Sequence, residues 1–191
     1  MWVLLVLVVI VGLWVVSAYN GLISLKNQTV NAFKQIDVQL KRRHDLIPNL
    51  VNAVKGAMDF ERSTLEAVIQ ARNQAMKVNA SGGGPEAVKQ ISQAENALSG
   101  ALSRLLVTVE RYPELKATGN IGQLQEELTS TENRIAFARQ LYNDTATQYN
   151  TKQQQFPTTL VAGMAHAERT DLWEIEDQAE RAVPQVDLSR R

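Results

Sequence analysis

The chain has 191 residues, 45% hydrophobic and 6% aromatic, with 20 Lys+Arg balanced by 20 Asp+Glu. That length fits one domain plus an anchor or tail. Zero net charge argues against a general nucleic-acid binder. The absence of cysteine excludes disulfides and thiolate metal sites, and His44 and His166 alone make no histidine-rich metal centre. No cofactor is expected.

Residues 1–25 carry no charged side chain. A bilayer core about 30 Å thick needs about 20 apolar helical residues, so this segment reads as a transmembrane anchor. Trp2, Trp14 and Tyr19 are candidate membrane-interface residues, because amphipathic rings favour the headgroup level. The rival reading is a cleaved signal peptide, but no Lys or Arg precedes the apolar run and Ser17-Ala18 is the one small-residue candidate for cleavage. Lys26, Lys34, Lys41, Arg42 and Arg43 follow the span, opposed by Asp37. The positive-inside rule therefore puts the amino terminus outside and the following domain in the cytoplasm.

From residue 21 onward the apolar period is close to 3.6. Leu22, Leu25, Thr29, Phe33, Ile36 and Leu40 form a stripe that continues the anchor helix. A break is expected at Asp45–Pro48, since Asp caps helices and Pro suits a first turn. A second stripe then runs from Ile47 through Val54, Leu65 and Ile69 to Met76, ending at Ser81-Gly82-Gly83-Gly84-Pro85. The third runs Ala87, Ile91, Ala94, Leu98, Leu102, Leu105, Val109, Tyr112 and meets Pro113. The fourth runs from Ile121 through Leu128, Ile135, Ala138 and Tyr142 to Tyr149, closed by Phe156-Pro157.

The expected fold is all-α: an N-terminal transmembrane helix continuing into an antiparallel up-and-down four-helix bundle, with a short acidic C-terminal tail. The division is 1–25 anchor, 26–157 bundle and 158–191 C-terminal extension. For the extension, a short helix, an extended strip docked on the bundle and a disordered tail all remain open.

The run from Gln35 to Val51, with Lys41-Arg42-Arg43-His44-Asp45-Leu46-Ile47-Pro48 at its centre, resembles the signature of the LemA family of bacterial membrane proteins. Further similar pieces are Glu61-Arg62, Ala71-Arg72, Thr131-Glu132-Asn133-Arg134-Ile135, Ala138-Arg139, Tyr142-Asn143, Tyr149-Asn150 and Pro184-Gln185-Val186-Asp187-Leu188. The resemblance implies an anchored four-helix domain and no generally established activity. It further implies a scaffold or membrane-organising role at the bacterial inner membrane, with a membrane protease as one kind of partner. Ala165–Thr170 departs from the aromatic and basic residues common in relatives.

The candidate structural or partner-binding residues are Lys41, Arg42, Arg43, His44, Asp45, Glu61, Arg72, Glu132, Arg139, Tyr142 and Asn143. Asp45 reads as a helix cap with His44 on a carbonyl of the preceding helix. Lys41, Arg42 and Arg43 read as a solvated helix end or a surface for an acidic partner. Glu61, Arg72, Glu132 and Arg139 read as charged edge positions, or as a polar network that sets helix register with Tyr142 and Asn143 as supporting donors. A hydrolase built on His44 lacks a nucleophile–base constellation. The leading function is thus a non-enzymatic, membrane-anchored scaffold or adaptor; the alternative is a self-assembling homo-oligomer that organises membrane. Exposed faces rich in Gln and Asn (Gln70, Asn73, Gln74, Gln90, Gln93, Asn96, Gln148, Gln153, Gln154) favour self-association.

Overall fold

A computed structural model describes residues 1–56, 61–81, 87–112 and 119–174. Its helices are α1 (Trp2–Lys55), α2 (Arg62–Ser81), α3 (Val88–Glu110), α4 (Gly119–Gln154) and the short α5 (Thr159–Ala162). No strand occurs among the described residues.

α1 is a single helix of 54 residues, about 80 Å long at 1.5 Å per residue. Its first part is long and apolar enough to cross a membrane, and none of the most apolar window is buried. Burial begins at Ala18 and Leu22 and then recurs at Thr29, Ala32, Phe33, Ile36, Leu40, Arg43, His44, Ile47, Leu50, Val51 and Val54. Steps of three and four keep these residues on one face.

The break expected at Asp45–Pro48 is not there; α1 runs straight through it. Asp45 is exposed in mid-helix and caps nothing. The stripe had continued all along, through two polar residues, Arg43 and His44, at core positions. Pro48 has no amide hydrogen to give the carbonyl four residues earlier. That carbonyl belongs to His44, and Arg72 Nε of α2 donates to it at 2.7 Å. A side chain from the neighbouring helix thus replaces the missing helical bond. The Ile47–Val54 part of the expected second helix therefore belongs to α1, and α2 begins at Arg62.

Contacts between α1 and α4 run in opposite sequence order. The Phe33 and Tyr142 rings meet edge-on with centroids 6.0 Å apart, and Arg43 reaches Glu132. Ten residues along α1 match ten residues back along α4, so the end of α4 at Gln154 falls level with Gly21. α2 and α3 pair with each other closely.

Two apolar clusters fill the interior. The one far from the span joins Ile47, Leu50, Val51 and Val54 of α1 to Leu65, Val68 and Ala75 of α2, Leu98, Leu102, Leu105 and Val109 of α3, and Ile121 and Leu128 of α4. The one nearer the span joins Ala32, Phe33, Ile36 and Leu40 to Val88 and Ile91 of α3, Ile135, Ala138, Tyr142 and Ala146 of α4, and Trp173. Beyond α5 the chain is extended through residues 167–174 and docks on the helices. Of the alternatives for the extension, a short helix followed by a docked strip describes residues 158–174; the acidic remainder, with Pro184–Leu188, lies outside the described residues, as do Gly82–Pro85 and Pro113.

Candidate functional site

Between the two apolar clusters lies a layer of buried charge. Arg43 is fully buried in α1. Its Nη1 donates to Ser99 Oγ at 2.8 Å and to Glu132 Oε1 at 2.7 Å. Its Nη2 donates to the carboxylate of Glu95, which is also fully buried. The other Glu95 oxygen, Oε1, accepts from Asn79 Nδ2 at 2.8 Å and lies 3.1 Å from His44 Nε2. An ionised carboxylate only accepts, so His44 carries its proton on Nε2. α1, α2, α3 and α4 each supply at least one member.

Burial by itself would raise the Glu95 pKa. The hydrogen bond from His44 and the charge of Arg43 outweigh that, and the carboxyl is held below its ordinary value. Arg43 faces two carboxylates. The side chain of Glu132 keeps 37% of its surface in solvent, which hydrates the excess negative charge.

A second polar system holds the extended strip to α4. Asn143 Nδ2 donates to Trp173 O at 3.1 Å, and Trp173 N donates to Asn143 Oδ1 at 2.8 Å. Asn150 repeats the arrangement on Thr170, at 2.8 Å and 2.9 Å. Each amide gives one residue of the strip the donor and acceptor that a neighbouring strand would give. Seven helical residues span about 10.5 Å and three extended residues about 10 Å, so the two spacings match. Tyr142 Oη donates to Asp171 O at 2.7 Å. Burial and then the Asp171 charge raise the Tyr142 pKa, which keeps this hydroxyl a donor. Trp173 is buried with the Arg139 guanidinium 4.8 Å from its ring centroid, a cation–π arrangement.

The structure therefore brings Arg43, His44 and Glu132 into one cluster and ties Arg72 to it through the His44 carbonyl. His44 binds Glu95 of α3, with no partner in a preceding helix. Tyr142 and Asn143 are donors, but to the strip. Arg139 joins them there, on Trp173. Lys41 and Arg42 are exposed, Arg42 lying 3.9 Å from Glu127. Glu61 sits just before α2, its Oε2 accepting from Thr64 Oγ1 at 3.5 Å. Trp2 is 82% exposed, Tyr19 is exposed and Trp14 half-buried. Gln153, taken as an outer-face residue, is buried and donates to Asn150 Oδ1.

Sequence reasoning missed Glu95, Ser99, Asn79 and Asn150. Glu95 stands among Ile91, Ala94 and Leu98 of an apolar stripe. A charge at such a position, on a helix facing Arg43 and Glu132, was the available signal. For Asn150 the signal was the Tyr-Asn pair repeated seven residues apart.

The pattern described as the LemA family matches residues 32–188, which takes in the charge layer and both asparagine clamps. The chain belongs to the LemA family. It is 28% identical to Protein LemA of Metamycoplasma hominis, over 91% of this chain and 74% of that protein. It is 24% identical to Magnetosome protein MamQ 2 of Paramagnetospirillum magneticum, over 82% of this chain and 64% of the relative. Magnetosome protein MamQ of Magnetospirillum gryphiswaldense is also 24% identical, over 80% and 63%. The chain thus spans less than two thirds of the magnetosome relatives. The amino-terminal helix of this LemA-family chain, long and apolar enough to cross a membrane, is consistent with a place at a membrane.

Proposed function

We propose that this protein is a non-enzymatic, membrane-anchored scaffold or adaptor, its four long helices acting as one up-and-down bundle at the cytoplasmic face of the bacterial inner membrane. The observation that carries the reading is the continuity of α1, one helix from the apolar span to the far end of the domain. A single helix with its core face locked by Arg43–Glu95 and by Arg72 joins the apolar span and the domain without a hinge between them. A tether of that kind raises the effective concentration for partners in the same membrane.

The docking face on this reading is the groove between α1 and α4. Lys34, Gln35, Val38, Arg134, Phe137 and Leu141 line it, and Val38, Phe137 and Leu141 are exposed at 62%, 73% and 42%. Clustered exposed apolar side chains with a polar rim mark interaction surfaces. A photocrosslinking residue at Phe137 in the full chain, in native membranes, tests this. Adducts with a second membrane protein, abolished by Val38→Glu, support the adaptor. Adducts in multiples of the chain's own mass support the homo-oligomer instead. Absence of any adduct rejects the groove as an interface.

Orientation is tested separately. With no native cysteine, Ser81→Cys gives a single thiol at the end of α2. It resists an impermeant thiol reagent in intact cells if the domain is cytoplasmic, and is labelled if the domain is outside.

A further inference from the structure

Phe156, Leu160 and Met164 are exposed at 80%, 66% and 59%. Leu160 and Met164 lie four residues apart in helical turns, where Ala162 N donates to Thr158 O and Ala165 N to Val161 O. That spacing puts these two on one side; Phe156 precedes them, before Pro157. Thr158, Val161 and Ala165, on the other side, are 4%, 1% and 6% exposed. The segment is thus amphipathic, with its buried side against the helices and three large apolar side chains turned out.

Its position is what identifies the occupant. α5 packs against α1 and α4. The antiparallel register puts the end of α4 level with Gly21, just beyond Ala18, where burial of α1 begins. The outward apolar side chains therefore sit beside the point at which α1 changes from a fully exposed apolar helix to a packed one. Lys152, four residues before Phe156, and Lys26, seven after Tyr19, lie about 6 Å and 10 Å further from the span. The order along the axis is apolar edge, then cations, as in a helix lying at a headgroup boundary.

We propose that Phe156, Leu160 and Met164 form a second membrane contact, inserted at the acyl-chain boundary beside α1. The occupant is the lipid surface of the bilayer that α1 enters, and the proposal rests on reading α1 as a membrane span. Two points of attachment fix the tilt of the domain, where the α1 helix alone would leave it free to lean and rotate.

The test uses the full chain in phosphatidylcholine–phosphatidylglycerol vesicles, with a fluorescent thiol label on single cysteines. The variants are Leu160→Cys, Leu7→Cys within the span, and Phe137→Cys, which the register places about 25 Å beyond Gly21. Lipids carrying a nitroxide near the top of the acyl chain are the quencher. Quenching at position 160 is expected to exceed that at 137 several-fold and to persist with Met164→Cys. Quenching at 7 but not at 160 overturns the second contact and leaves the anchor standing. No quenching at 7 rejects the anchor, and the second contact with it. If position 160 is shielded from aqueous iodide without nitroxide quenching, the edge is a contact between copies of the chain, and the lipid assignment is wrong.

Discussion

Between Ile47 and Val54, α1 is covered by aliphatic side chains of three other helices. Between Ala32 and Leu40 it packs mainly on α4, Val88 and Ile91 of α3 share the cluster, and Trp173 from an extended strip completes it. The far half is closed by helix on helix. The near half is closed by a strip that has no helical hydrogen bonds and borrows its partners from Asn143 and Asn150. What separates the halves is the layer of Arg43, Glu95, His44 and Glu132. An apolar stripe tolerates sliding by a turn; a guanidinium that must meet Glu95, Ser99 and Glu132 together does not. Buried polar groups set register in some proteins; on that reading the layer aligns both halves, and the strip's match to α4 follows from it.

The largest expected effect comes from unbalancing that layer. Glu95→Leu leaves a buried guanidinium without its main counter-charge and is expected to cost about 3–5 kcal/mol. Arg43→Met takes the counter-charge from Glu95, leaving it Asn79 and His44, and should cost a similar amount. Arg43→Met with Glu95→Leu removes both charges and should recover most of the loss. Thermal unfolding of the four proteins closes the cycle; additive losses would show that the pair does not act as a unit. Acid gives an independent check. The Glu95 carboxyl is held below its ordinary value in the folded chain. Its contribution is present above the unfolded pKa and is lost as pH falls through the lower, folded one. Glu95→Gln is therefore expected to flatten the acid side of the stability profile. A profile with unchanged slope would mean that other carboxylates carry it.

The strip offers a smaller and more local effect. Asn150→Ala and Asn143→Ala each remove a donor and an acceptor from one strip residue. With a strip near the surface, water replaces part of what is lost, so about 1–2 kcal/mol is expected for each. Hydrogen exchange is the sharper measurement. The amides of Thr170 and Trp173 should exchange faster in both variants, while those of Leu98 and Leu102 in α3 stay protected. If protection falls equally in α3, the strip and the far half unfold as one unit, and the contrast between the halves fails.

Much of this was legible in the residues. The apolar stripes of α3 and α4 appear in the structure as Ile91, Leu98, Leu102, Leu105 and Val109, and as Ile121, Leu128, Ile135, Ala138, Tyr142 and Tyr149, all buried. The uninterrupted passage of one helix from the apolar segment into the domain was equally readable. What misled was polarity at core positions. Arg43 and His44 look like a helix end because charge and turn-forming residues normally cluster there. Here they face partners on other helices that lie 51 to 89 positions away in sequence. The pairing itself was beyond periodicity, which orients a side chain but does not say what it meets. The strip was harder still, since Thr170–Trp173 has no pattern of its own and acquires its shape from α4.

The smallest effect is a coupling energy, at the place where the sequence suggested a break. Arg72→Ala removes the donor to the His44 carbonyl and is expected to cost about 1.5–3 kcal/mol, the range for a bond with a charged donor. Pro48→Ala restores an amide at position 48, which can bond that same carbonyl within the helix. If Arg72 stands in for the missing bond, its removal should cost about 1 kcal/mol less in the Pro48→Ala background. A simple gain in helix propensity from losing Pro48 would instead shift both proteins equally and leave the Arg72 increment unchanged. Denaturant midpoints of the four combinations separate the two, because the coupling survives subtraction and the propensity does not. A coupling near zero would mean that Arg72 merely lies against α1, and that Pro48 is accommodated by the packing of Ile47 and Val51 on either side of it.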